Sequence, residues 1–387
     1  MSRHASPAFL AVVVVAFACS GPVPSPSPHA SVSPTVEPTA TRTFRPKPTQ
    51  AQVTGWTAVA PFDVGPTELT RIIEFRGRLV AIGDILLPDG GLEPLVVASS
   101  DGLVWDVVLE LPQSPYARNL VDIAAGELRL VIVGMAPGPG YSLESSAWFS
   151  TDGLGWDQAA LPDGRTAFVR AVAWQDGTWV AVGLEGVGGP ESPSGARIWR
   201  SADGKAWVRV PKHPPLESNL VRADAIAAGP AGFIAAGTSL AEPPAFGVVW
   251  GSSDGASWSV LSELREFSSP DRLKFVGDRY VGLGFFQAIS SGDGRSWGGV
   301  ATGYFQTTFD LIQVGEEIIL VGTDPRTGPL MAVALGGGLD GPWMRQPTEP
   351  LFSQISVFSL ALAPGGDTII GVGNSVDGSS VFVLPLP

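Results

Sequence analysis

The sequence predicts an all-β fold: a seven-bladed β-propeller closed by pairing of an N-terminal strand with the C-terminal blade. Three observations carry that prediction. A seven-residue motif recurs, seven apolar strand patterns of one kind follow the same rhythm, and one strand is left over at each end of the chain. The motif, S-x-D-G-x-x-W, stands at residues 99–105, 150–156, 201–207, 252–258 and 291–297. A sixth, incomplete copy is Asp340-Gly341-Pro342-Trp343. Its aspartates are Asp101, Asp152, Asp203, Asp254, Asp293 and Asp340, and its tryptophans are Trp105, Trp156, Trp207, Trp258, Trp297 and Trp343. A near-constant period of about 50 residues marks a repeated supersecondary unit.

Residues 1–18 read as a signal peptide. Arg3 precedes an apolar run from Ala8 to Ala18, which is too short to span a bilayer. Cys19, the only cysteine, follows directly. Residues 20–50 hold eight Pro, five Ser and five Thr. Such a stretch cannot bury a core and is expected to be a disordered spacer between Cys19 and the domain. Residues 51–387 are the domain.

The unit around Trp156 shows how each blade is built. Trp156-Asp157-Gln158-Ala159 opens a short strand, 169–174 is a second, and Gln175-Asp176-Gly177 is a turn signal. The nearly all-apolar segment 179–183 is a third strand, and 197–200 runs into the next motif. Four short β-rich runs per unit make a small antiparallel sheet. The apolar segment recurs at 79–83, 130–134, 179–183, 233–237, 280–284, 318–322 and 369–373, each copy ending on glycine. Trp56 opens a strand with no motif before it, and 381–384 forms a strand with no motif after it. These two can complete one sheet, which closes a ring of seven.

Composition narrows the function. Charged residues are only 16%, while Gly (48) and Pro (35) are abundant, which suits short strands and tight turns. Residues 1–50 carry Arg3, Arg42, Arg45 and Lys47 against Glu37 alone, so the remainder has 20 basic and 36 acidic residues, a net −16. A body this acidic repels phosphate backbones, so no nucleic-acid partner is expected. With no cysteine in the domain, there is neither a disulfide nor a thiol nucleophile there. His213 is the single histidine of the domain, in Lys212-His213-Pro214-Pro215, so a histidine metal centre is ruled out and a Ser-His-Asp triad would need that loop. No cofactor and no metal are expected.

Two resemblances follow from these residues. Ala16-Phe17-Ala18-Cys19 resembles a bacterial lipoprotein lipobox, which implies a lipid on Cys19 and an extracytoplasmic domain anchored to a membrane. Ordinary cleavage after Ala18 with secretion is the alternative. The recurring motif resembles the Asp-box of bacterial neuraminidase (BNR) repeat proteins, one residue shorter because glycine directly follows aspartate. The resemblance covers residues 52–387 and implies a propeller in which the box joins the third and fourth strands of each blade. The box residues are read as structural, since one copy per blade does not make one asymmetric site. Family members include sialidases, but the catalytic pattern does not carry over. Phe44-Arg45-Pro46-Lys47 stands in the spacer and lacks the expected isoleucine, and the chain has only Tyr116, Tyr141, Tyr280 and Tyr304.

The candidate binding surface is the face where the innermost strands begin. Charges start those strands: Arg71, Asp122, Arg170, Arg222, Asp224, Asp271, Arg272 and Asp310. They read either as a self-satisfied ring of ion pairs or as a polar ligand pocket. Adjoining loops add Tyr116, Arg118, Tyr141, Arg165 and Tyr304, together with Phe168, Phe285, Phe286 and Phe305. The expected function is a monomeric, non-enzymatic binding or scaffold module for an envelope protein or glycan. The alternative is a carbohydrate-active hydrolase with paired carboxylates at the channel mouth.

Overall fold

The computed structural model describes residues 42–44, 55–59, 62–111, 120–137, 143–163, 167–185, 195–211, 221–240, 244–285, 287–300, 306–323, 332–340, 343–345, 355–378 and 380–386. They form seven antiparallel sheets. The third sheet shows the common plan: Ala167–Gln175 pairs with Thr178–Glu185, that strand with Gly195–Ser201, and that with Trp207–Arg209. Its first hairpin turns on two residues, Asp176 and Gly177, both at positive φ (47° and 76°). That is the type I′ turn, which the Asp-Gly pair favours and which matches the twist of the flanking strands.

The innermost strands are Thr67–Phe75, Leu120–Ala125, Ala167–Gln175, Val221–Gly229, Arg272–Val276, Thr307–Val314 and Ile355–Leu362. Successive inner strands lie against one another, and Thr67–Phe75 also packs against Ile355–Leu362 and Thr368–Ser375. The sheets therefore stand around a common axis. Apolar side chains fill the gaps between neighbours: Val180, Val182 and Ile198 of the third sheet meet Ile226, Phe233 and Trp250 of the fourth.

Two expectations are corrected. Seven equal four-stranded blades were expected, but six sheets are four-stranded and the first has five strands. Its extra strand is Arg42–Phe44, paired with Trp105–Glu110 through Arg42↔Val107 and Phe44↔Trp105. The stretch read as spacer thus contributes Arg42, Thr43 and Phe44 to a sheet edge. The N-terminal strand is also not what holds the ring shut. Thr57–Ala58 supplies only two residue pairs at the outer edge of the last sheet, Thr57↔Val383 and Ala58↔Phe382. The main seam lies further in. There Leu69, Leu79 and Trp105 of the first sheet share a core with Ile370, Val372 and Val381 of the last. Thr67 and Ser380 hydroxyls bond across it at 2.7 Å, and Asn374 Nδ2 donates to Glu68 Oε2 at 2.6 Å. A buried apolar seam of this extent outweighs a two-residue ladder.

The recurring motif forms the same loop five times. In the first copy Ser99 Oγ accepts from the Gly102 N–H at 2.8 Å, and Asp101 Oδ1 accepts from the N–H groups of Leu103 and Val104 at 2.8 and 2.9 Å. Burial by itself would push the Asp101 carboxyl up, but these N–H bonds hold it below the usual carboxylate range. Trp105 Nε1 donates to the Gly102 carbonyl at 3.0 Å, and the indole is fully buried. The serine and aspartate side chains are spent inside the loop, which agrees with a structural role.

The motif glycine also touches the preceding blade. Gly255 sits at φ +72°, and a Cβ there would lie 2.5 Å from Val180 Cγ2. Gly255→Ala is expected to cost about 2–4 kcal/mol, from left-handed backbone strain plus overpacking. Gly90, at φ +84° with open space around it, gives the control. Gly90→Ala is expected to cost only about 1–2 kcal/mol. Urea unfolding of the two variants measures the difference.

Candidate functional site

The site starts from an irregularity shared by six of the inner strands. Their register with the second strand slips by one residue at Leu69/Arg71, Leu120/Asp122, Val169/Ala171, Ala223/Ala225, Thr308/Asp310 and Val357/Ser359. A bulge of this kind re-aims the side chain beside it. It also explains the glycine at the end of the apolar segment in these blades. A Cβ on Gly83 would lie 2.1 Å from the Glu68 carbonyl oxygen, and one on Gly373 1.7 Å from that of Ser356. No side chain fits where the bulged backbone comes so close.

The bulges place one charged or hydroxyl group of a blade against the next blade. Asp122 Oδ2 accepts from the Val172 N–H at 3.0 Å, Asp310 Oδ2 from the Leu360 N–H at 2.8 Å, and Ser359 Oγ from the Ile72 N–H at 3.3 Å. The last of these crosses the seam between the final and first blades. Ion pairs join the same positions. Arg71 Nε faces Asp122 Oδ1 at 3.5 Å, Arg222 Nε meets Asp224 Oδ2 at 3.0 Å, and Arg170 Nε reaches Asp224 Oδ1 at 4.0 Å.

Asp310 is the hub. It is completely buried and meets Lys274 Nζ at 2.6 Å and Arg272 Nη1 at 3.1 Å. It also accepts from the Ser359 hydroxyl at 2.9 Å and the Leu311 N–H at 2.8 Å. Burial favours its neutral form, but Arg272, Lys274 and the Leu360 N–H hold the carboxyl below its ordinary range. Asp224 differs: burial pushes its carboxyl up despite Arg222 and Arg170. Asp271, an exposed residue at the start of its strand, is also pushed up, by desolvation first and the Asp224 charge second.

These groups surround a channel cavity of about 310 Å³ along the axis, walled lower down by Ile72, Val172, Ile226, Leu273 and Leu360. Of the charges expected at this mouth, Arg71, Asp122, Arg170, Asp271 and Arg272 line the cavity, while Arg222 and Asp310 join it through ion pairs. Phe285 is exposed, bridging to Thr307, and Phe168 is half-buried. Cys19, Tyr116, Arg118, Tyr141, Arg165, His213, Phe286, Tyr304 and Phe305 lie outside the described residues. Sequence reading missed Lys274 and Ser359. Lys274 is a lone cation at the third position of a strand, two residues past Arg272, and alternation alone could have placed it on the same side. Ser359 carries no such signal.

A second cluster sits on the same face of the third blade. Arg197, 2% exposed, meets Glu185 at 2.5 Å and Asp163 at 3.3 Å, and Arg209 reaches Asp163 at 3.1 Å. It fastens the loop at Asp163 to the sheet.

Comparison with solved structures decides the architecture. The chain resembles the β-propeller domain of the trilobed protease from Pyrococcus furiosus with TM-score 0.52 at 10% identity, over 82% of this chain and 93% of that one. It resembles the WD40 β-propeller domain of Doa1 with TM-score 0.52 at 12% identity, over 87% of this chain and 98% of that one. The fold is a β-propeller. A phage phi92 endosialidase aligns with TM-score 0.49 at 10% identity, over 89% of this chain and 70% of that one. At these identities the likeness shows the fold alone. No protein-family model and no curated protein matches the chain.

Proposed function

We propose that this propeller is a non-enzymatic binding or scaffold module for an envelope protein or glycan. It works outside the cytoplasm as a monomer, anchored by lipid on Cys19, and takes its partner on the face where the inner strands begin. The five serine-aspartate loops are read as Asp-boxes of the BNR repeat kind, serving the frame. One observation carries the binding reading: three of the mouth carboxylates are already engaged. Asp122, Asp224 and Asp310 each face a cation of their own or a neighbouring blade, and Asp310 also accepts two backbone N–H groups and a hydroxyl. A carboxylate so held is a poor acid and a hindered base.

The hydrolase reading has one observation in its favour. Asp224 and Asp271 belong to adjacent blades, burial pushes both carboxyls up, and the Asp224 charge adds to the push on Asp271. A glycan array and an envelope-protein pull-down with the full-length chain separate the two. Binding that persists in Asp224→Asn/Asp271→Asn but weakens about tenfold or more in Arg71→Gln/Arg222→Gln supports the module. Glycan turnover that disappears with Asp224→Asn would overturn it.

A further inference from the structure

Four cations, Arg71, Arg170, Arg272 and Lys274, line the channel cavity beside the carboxylates Glu74, Asp122 and Asp271, although the chain as a whole is strongly acidic. Three of these cations, Arg71, Arg272 and Lys274, converge on two carboxylates, Asp122 and Asp310. Asp310 stands behind the cations, while the Asp122 side chain is 18% exposed. Asp310 has no exposed surface, whereas the Arg71, Arg272 and Lys274 side chains are 25%, 16% and 26% exposed. The oxygens of Asp310 are fully subscribed, and Asp122 spends one oxygen on Val172. Arg71 donates through Nη1 to the Thr70 carbonyl at 2.9 Å, yet its buried Nε makes no hydrogen bond. The partly exposed side chains of these three cations stand beside a cavity of about 310 Å³.

We propose that this cavity binds an oxyanion group, a carboxylate, phosphate or sulfate, of a small or terminal ligand moiety through Arg71, Arg272 and Lys274. Planar guanidinium forks and an ammonium in a confined, partly dry site suit a group of that charge and size. Burial and mutual repulsion hold Arg71 and Lys274 below their ordinary basicity, so a bound anion would relieve both. The apolar wall beneath, Ile72, Val172 and Leu273, would take the non-polar part of the ligand. The inference rests on the mouth being the binding face, and it names the chemistry bound there.

The test is calorimetric titration of the full-length chain with inorganic phosphate, sulfate, glucuronate and, as the uncharged control, glucose. Saturable binding of at least one anion, absent for glucose and weakening as sodium chloride rises, is the expected result. Phosphate or sulfate alone would mark a tetrahedral anion, and glucuronate alone a carboxylate. Arg71→Gln should weaken binding about tenfold or more while the urea midpoint confirms a folded protein. Lys274→Met gives a second variant should Arg71→Gln unfold. No saturation by any anion, or equal binding by wild type and both variants, overturns the inference. An array or pull-down partner retained in the absence of anion binding would leave the module standing and remove the anion subsite. Anion binding with no partner retained would do the reverse.

Discussion

Asp310→Ala is expected to destabilise the propeller by about 3–5 kcal/mol, because it strands Arg272 and Lys274 beside a buried void without their counter-charge. The variant also deletes the acceptor for the Leu360 N–H and the Ser359 hydroxyl, which ties the sixth blade to the seventh. Ser359→Ala is the graded comparison. It removes the acceptor for the Ile72 N–H and for Arg272 and the donor to Asp310, but no charge, and should cost about 1–3 kcal/mol. Urea unfolding at pH 7 measures both. The sign in pH follows from the direction of the shift. The folded carboxyl lies below its unfolded value of about 3.9, so its contribution is complete above that pH and is lost as pH falls through the folded value. An Asp310→Ala cost below that of Ser359→Ala would mean that the ion pairs do not brace the ring.

Asp84 works in the opposite sense. Its side chain is 2% exposed, Oδ1 makes no hydrogen bond, and it faces Glu68 across the first hairpin. Burial pushes its carboxyl up to about 7. The folded state thus prefers the neutral acid, whereas the unfolded chain ionises near pH 4. Stability from this group is complete below about pH 4 and falls as pH rises to about 7, by at most about 4 kcal/mol. Asp84→Asn keeps the shape and cannot ionise. It should match wild type at pH 4 and exceed it by roughly 1–4 kcal/mol at pH 8. Urea unfolding across that range reads the difference, and parallel curves for the two proteins would place the Asp84 carboxylate in a polar setting instead.

What the sequence discloses follows from which forces act locally. The motif loops are legible because each satisfies its own polar groups within seven residues, so serine, aspartate, glycine and tryptophan keep fixed spacing. The inner-strand charges are legible because they interrupt apolar alternation. The bulges are not read from the strands themselves, although the glycines that permit them end every apolar segment in plain sight. Ser359 is silent because a serine facing a backbone N–H of the first blade looks like any other serine. Asp84 sits in the run Leu79 to Leu86 as its single charge, a sign of burial that alternation does not interpret. Arg42, Thr43 and Phe44 read as spacer because the Pro and Thr around them outweigh a run of strand formers as short as Thr43 and Phe44.

The channel exists only if the first and last blades meet, since its wall runs from Arg71 round to Leu362. Their hydroxyl contact offers a direct check, in a chain carrying Cys19→Ser so that no other thiol remains. Thr67→Cys with Ser380→Cys should close spontaneously into a disulfide under mild oxidation, seen as loss of two hydrogens in the intact mass with the native fold retained. Two thiols that stay free and react with iodoacetamide in the folded protein would contradict a sealed ring and the binding site built on it.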